Sequence, residues 1–149
     1  MKLLPHHPIL LVEDSPEDFD ITVRAFRKSN LTNPIFRCAD GDEALDFLHR
    51  RGNFTDAAKA PRPAFILLDL NLPGTDGREV LANIKKTDHL KEIPVIILTS
   101  SGSEHDVESC FLAGANSFMQ KPLGVVNFFQ AVQRLKDYWF DVSLVPLVE

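Results

Sequence analysis

The sequence predicts an α/β fold, a five-stranded parallel sheet covered on both faces by helices. Two observations predict it. Five short apolar runs recur along the chain, each followed within a few residues by a segment whose apolar positions repeat at helical spacing. Four of those runs lead into residues that carry chemistry, namely Glu13-Asp14, Asp69, Thr99 and Lys121. In parallel α/β sheets ligands bind in the crevice outside the carboxyl ends of the strands, where such residues gather.

Ile9 to Val12 is continuously apolar, the pattern of a strand buried on both faces. Ser15-Pro16 supplies an N-cap and a first-turn proline, and Phe19, Val23 and Phe26 carry a helix to about Ser29. Pro34 to Ala39 reads as a second strand and Gly41 to Arg51 as a second helix, with Ala44, Leu45 and Leu48 on one face. Gly52 to Pro63 lacks periodicity and exceeds the usual loop length of about 4–6 residues. Phe65 to Leu68 is a third apolar strand ending at Asp69, and Leu72-Pro73-Gly74 marks a turn before a helix from about Asp76 to Lys86. Ile93 to Leu98, ending at Thr99, is the fourth strand and Glu104 to Ala113 the fourth helix. Asn116 to Gln120 and Val125 to about Tyr138 complete the alternation. Right-handed crossovers then place helices on both sheet faces. The expected strand order is 2-1-3-4-5, a flavodoxin-like (βα)5 doubly wound sandwich whose crevice lies beside strands one and three.

A chain of 149 residues has room for one compact domain, expected over residues 8–138 between a flexible start, 1–7, and an apolar C-terminal extension, 139–149. Its 44% hydrophobic and 25% charged residues are ordinary for a globular protein. A net charge of −5, with no Lys/Arg-rich run, argues against nucleic-acid binding. Cys38 and Cys110 show neither metal-like spacing nor a disulfide framework and suit a cytoplasmic protein. No stretch reads as a signal peptide or reaches the roughly 18 apolar residues of a membrane span.

In this topology Glu13, Asp14, Asp69, Thr99 and Lys121 share one edge of the sheet. Three crowded carboxylates raise one another's pKa unless a cation neutralises them, and Mg2+ favours such hard oxygen ligands, with Asp14 and Asp69 able to supply them. Taken singly, each acid reads as a solvated turn residue, Lys121 as a surface lysine and Thr99 as a strand-end cap. Taken together they surround one crevice with complementary groups.

The segments LLVEDS, ILLDLNLPGTDG, VIILTSS and FMQKPL resemble the receiver domains of two-component response regulators, over essentially Pro8 to Tyr138. The resemblance implies that Asp69 is the phosphoacceptor and that Asp14 and Asp69 are carboxylate ligands of Mg2+. It further implies that Asn71 contributes its backbone carbonyl, that Glu13 acts through a metal-bound water, and that Thr99 and Lys121 sense the phosphoryl group. A cis Lys121–Pro122 peptide is expected by the same likeness. Phe118 matches the switch aromatic, where many receivers have Tyr; it also reads as a plain core strand residue. Elementary chemistry agrees with these roles. Phosphoryl transfer needs an ionised nucleophile and charge compensation on the equatorial oxygens, which Lys121 and a metal supply.

With no output module beyond the receiver, the signal is expected to leave through the face of helix four, strand five and helix five to a partner protein. Phe128, Val132, Leu135 and Trp139, with Phe140 beyond, recur at near-heptad spacing. They fit a core-facing helix or a self-association surface equally well. GDEALDFL, APRPAFILLDLNLPGTDGREVL and DYWFDVSLVP further resemble the response regulators of bacterial and cyanobacterial phytochromes. That likeness implies a phytochrome-type histidine kinase as donor and a homodimer that uses the C-terminal extension.

Rival readings fare worse. An Mg2+-dependent aspartyl-phosphate phosphatase usually places a second acid where Asn71 stands, and this chain has little room for a substrate cap. A flavin carrier needs a Ser/Thr/Gly-rich phosphate loop, not Glu13-Asp14-Ser15-Pro16-Glu17-Asp18. A receiver-shaped adaptor that never takes phosphate has no need of the full acceptor set. The chain is therefore read as a phosphoacceptor switch rather than an enzyme.

Overall fold

In the computed structural model, which describes residues 1–146, five strands alternate with five helices. The strands are β1 (Ile9–Val12), β2 (Ile35–Cys38), β3 (Phe65–Leu68), β4 (Val95–Thr99) and β5 (Ser117–Gln120). The helices are α1 (Pro16–Lys28), α2 (Gly41–His49), α3 (Gly77–Lys86), α4 (Glu104–Leu112) and α5 (Val125–Lys136). All pairings are parallel and the order is β2-β1-β3-β4-β5, as the sequence predicts.

Strand alternation divides the core in two. Leu10, Val12, Ile66, Leu68, Val95 and Ile97 pack with Phe47, Leu48, Val80, Leu81, Ile84 and Cys110 of α2, α3 and α4. Ile9, Leu11, Phe65, Leu67, Ile96 and Leu98 pack on the opposite face with Ala25, Phe26, Phe128, Val132 and Leu135 of α1 and α5. The central strands β1, β3 and β4 are wholly buried, whereas the edge strands β2 and β5 are mostly half-buried.

Proline sets two boundaries. Pro34 and Pro94 cannot donate to the ladder, so β2 and β4 begin after them, while their carbonyls accept from Ile9 (2.9 Å) and Ile66 (3.0 Å). Arg50 adopts a left-handed conformation (φ 53°) and ends α2 short of Arg51. The long loop contains a 3-10 turn, Gly52–Phe54, that sets Phe54 against Phe47 at 5.3 Å between ring centroids.

Both chain ends depart from expectation. α5 runs on without a break into a π-helical turn, Asp137–Val142, so residue 138 is no boundary. Phe140 is buried beside Phe65 (5.4 Å) and Phe26 (6.2 Å), and Val145 joins the same cluster. Burying a side chain of Phe140's size contributes roughly 2–3 kcal/mol, so this stretch belongs to the core. The remainder of the expected extension, 147–149, lies outside the described residues. The opening segment is not free either, because the returning tail gives it backbone partners. Met1 donates to the Val145 carbonyl (3.0 Å) and accepts from the Val145 N–H (2.8 Å), and Leu3 is buried. The Asn33 amide fastens the segment again, donating to the Leu4 (2.8 Å) and His7 (2.9 Å) carbonyls.

Candidate functional site

The sheet's hydrogen bonding continues one residue past the strand ends and fixes the backbone of the site. Glu13 N–H donates to the Cys38 carbonyl (3.0 Å), Asp69 N–H to Val12 (3.1 Å) and Lys121 N–H to Thr99 (2.7 Å). Ser15 caps α1, its hydroxyl accepting from Asp18 N–H (3.2 Å), while its own N–H donates to Glu13 Oε2 (3.2 Å). Arg37 of β2 donates to the carbonyls of Glu13 (3.2 Å) and Asp14 (3.3 Å), with its guanidinium 4.9 Å from the centre of the Phe19 ring. Gly77 opens α3 hard against the loop after β3. A Cβ there would stand 2.3 Å from the Asp69 carbonyl oxygen, so only glycine admits this approach.

Lys121 lies at the centre, its side chain 8% exposed. The Nζ donates to Glu13 Oε1 (2.5 Å), Asp18 Oδ2 (2.8 Å) and Asp69 Oδ2 (2.9 Å). Asp69 Oδ1 accepts from the Asn71 N–H (3.1 Å). Burial alone would raise Asp69, but Lys121, Thr99 and Asn71 outweigh it and hold the carboxyl below its ordinary value. Burial likewise opposes the charge on Lys121, and Asp18, Glu13 and Asp69 overcome it, holding the ammonium well above the usual lysine range. At neutral pH the site thus presents an ionised Asp69 beside a fixed ammonium, the pairing an anionic nucleophile toward phosphorus requires.

Glu13 behaves differently. Burial raises it most, Lys121 draws it back and Asp69 adds a further rise, leaving the carboxyl at about 7. A folded protein that keeps this proton to pH about 7 binds more protons than an unfolded chain whose Glu titrates near 4.5. Without a divalent ion, stability is therefore expected to fall as pH rises from about 4.5 to 7, by about 3 kcal/mol in urea denaturation, the loss complete above pH 7. The depressed Asp69 titrates below this window and Lys121 above it. Glu13→Gln should flatten the slope, and a wild-type profile rising through that window would contradict the assignment.

Carboxylate oxygens of Glu13, Asp14 and Asp69 lie within 4.8 Å of one another, with Glu13 and Asp69 buried and Asp14 exposed. This all-oxygen set, open on the Asp14 side, fits a hard divalent cation that keeps part of its water shell. The grouping expected from the sequence is therefore present. Asn71 is exposed and donates its side-chain amide to Thr99 Oγ1 (3.4 Å), and Phe118 is half-buried against the core.

Other expectations need correction. No cis peptide occurs among the described residues, and Lys121 reaches all three acids from a trans bond to Pro122. Phe128, Val132, Leu135 and Phe140 are buried within the chain's own core, and Trp139 is half-buried at 5.6 Å from Phe65. As expected interface residues they are already spent on internal packing; the exposed apolar side chains nearby include Leu123, Val125, Val126, Tyr138, Val142 and Leu144. Sequence reasoning missed Asp18 as the third acid on Lys121. Its position in the first turn of a helix capped just after the acid pair was the available signal.

No helix among the described residues is long and apolar enough to cross a membrane. The response regulator receiver domain family profile matches residues 9–133. The response regulator Rcp1 of Synechocystis sp. is 38% identical over 95% of each chain. Its Mn2+-bound crystal structure superposes with a TM-score of 0.88, covering 95% of this chain and 99% of that one. The phosphorylated cyanobacterial phytochrome response regulator RcpA shares 37% identity and a TM-score of 0.89 over 95% and 99% of the two chains. The bacteriophytochrome response regulator AtBRR shares 42% identity and a TM-score of 0.72 over 97% and 99%. Sheet order, acid cluster and sequence likeness agree, and the chain belongs to the response regulator receiver domain family.

Proposed function

We propose that Asp69 accepts a phosphoryl group from the phosphohistidine of a phytochrome-type histidine kinase and that a cytoplasmic partner protein reads the change. The observation that carries this reading is the Lys121 ammonium 2.9 Å from Asp69 Oδ2, within a buried acid cluster suited to a divalent ion. An Asp69 carboxylate oxygen attacks phosphorus, a P–O bond forms as the donor P–N bond breaks, and the imidazole leaves. Lys121 compensates charge on the phosphoryl oxygens, and the Asn71 N–H orients the carboxylate from its other oxygen.

Mg2+, held by Glu13, Asp14, Asp69 and the Asn71 carbonyl, would supply further positive charge to those oxygens. Support comes from Rcp1, crystallised with Mn2+, and from RcpA, a phosphorylated phytochrome response regulator. Thr99 follows the phosphoryl oxygen, and Phe118 fills the space it leaves. The test is transfer of label from an autophosphorylated phytochrome-type kinase. Rapid movement of label onto this protein is expected. Labelling by acetyl phosphate but not by any such kinase would overturn the donor, and labelling by neither would overturn the acceptor.

The second copy of a homodimer would cover the exposed Tyr138, Val142 and Leu144. Val142→Asp with Leu144→Asp is expected to halve the sedimenting mass without loss of fold. A wild-type chain that sediments as a monomer, phosphorylated or not, contradicts the dimer.

A further inference from the structure

Arg78, Asp106 and Ser101 form a network that the chemistry above leaves unused. Arg78, in the first turn of α3, grips Asp106 with two prongs, Nε to Oδ1 at 2.9 Å and Nη2 to Oδ2 at 2.8 Å. Its third nitrogen, Nη1, reaches Asp76 at 3.1 Å. Asp106 lies in the first turn of α4, 8% exposed, with its N–H on the cap hydroxyl of Ser103 at 3.1 Å. Asp106 Oδ2 also accepts the Ser101 hydroxyl at 2.5 Å.

Ser101 stands two residues beyond Thr99 and donates its N–H to Thr99 Oγ1 at 3.4 Å; the Asn71 side-chain amide donates to the same Oγ1 at 3.4 Å, and the Asn71 N–H to Asp69 Oδ1 at 3.1 Å. A continuous path of polar contacts therefore runs from the acceptor through Asn71, Thr99, Ser101 and Asp106 to Arg78. Its far end is itself fixed to the site. Gly77, next to Arg78, donates its N–H to the Leu70 carbonyl at 3.0 Å, in the loop that leaves Asp69.

Oxygens of a phosphoryl group on Asp69 lie farther out than the carboxylate oxygens, and Thr99 must reach them there. For its hydroxyl to follow them, residues 100–101 must shift, and Ser101 is moored by a hydrogen bond to a charged acceptor, a stronger kind than neutral pairs. We propose that the Arg78–Asp106–Ser101 network is a positioning device that holds the segment after Thr99 away from the acceptor and so limits how readily Asp69 gains and keeps a phosphoryl group. The proposal rests on the reading of Asp69 as acceptor. Arg78 sets the Asp106 carboxylate, Asp106 holds Ser101, and none of the three touches the reacting atoms.

The test follows labelling by acetyl phosphate with Mg2+, and decay of the label, in wild type, Ser101→Ala, Asp106→Ala and the double variant, with thermal melts alongside. Each single variant is expected to raise the labelled fraction and slow decay about fivefold to tenfold, by shifting population toward the phosphoryl-competent arrangement. The double should do no more than either single, because both remove one link. Ser101→Thr, which keeps the hydroxyl, should restore wild-type rates. If Asp106→Ala fails to fold, Arg78→Gln takes its place in the same cycle. Rates within twofold of wild type in the single variants overturn the proposal. So do effects that multiply in the double variant, which would show that Ser101 acts on the label independently of Asp106. An unlabelled wild type would instead fault the acceptor assignment itself.

Discussion

Asp69→Asn is expected to lower labelling by acetyl phosphate and Mg2+ by more than about a thousandfold, because a neutral amide has no anionic oxygen to attack phosphorus. The substitution keeps the side chain's shape and its contact with the Asn71 N–H. It removes one of the three acids around Lys121 and leaves Glu13 and Asp18 to hold the ammonium. Folding should therefore survive while chemistry is lost. The measurement is acid-stable, base-labile label per chain, read beside a thermal melt. Residual labelling near the wild-type level in a folded variant would move the acceptor elsewhere.

Lys121→Met is expected to cost about 3 kcal/mol of stability in the absence of divalent ions, because breaking a buried ion pair strands its partner charges. Here the stranded groups are Glu13, Asp18 and Asp69, two of them almost fully buried. Mg2+ should return much of the loss, since a cation bound by Glu13, Asp14 and Asp69 replaces the missing positive charge beside two of the three stranded groups. Urea denaturation with and without Mg2+ reads both effects. A variant as stable as wild type without metal would show that Lys121 does not neutralise the cluster. Under the proposed function labelling should fall as well, because no ammonium then stands beside Asp69.

Much of the fold was legible because its signals are local. Apolar runs at Ile9, Phe65 and Val95 announce buried strands, and Ser15-Pro16 announces a helix start. Glu13, Asp14, Asp69, Thr99 and Lys121 could be brought together because parallel topology puts strand ends on one edge. Boundaries set by a neighbour's hydrogen bonds were less visible. Ile93 is apolar enough for β4 yet precedes Pro94, and Arg50 ends α2 through a left-handed turn.

Other features lie in packing across the fold. Nothing near Asp106 in sequence foretells Arg78, 28 residues away, as its partner. The near-heptad stripe of α5 was open to two readings because core and interface share one chemistry. Contact of Phe140 with Phe26 and Phe65 assigns it to the core. Asp18 escaped notice because an acid in a helix's first turn is ordinary, and only Lys121 arriving from β5 gives it a second role.

Mapping the modified residue after acetyl phosphate and Mg2+ treatment of the wild-type protein, by reductive trapping and peptide mass spectrometry, tests the central claim most directly. One phosphoryl group per chain on Asp69 is the expected result. A phosphoryl group on another side chain, or none on a folded protein shown to have bound Mg2+, would contradict it.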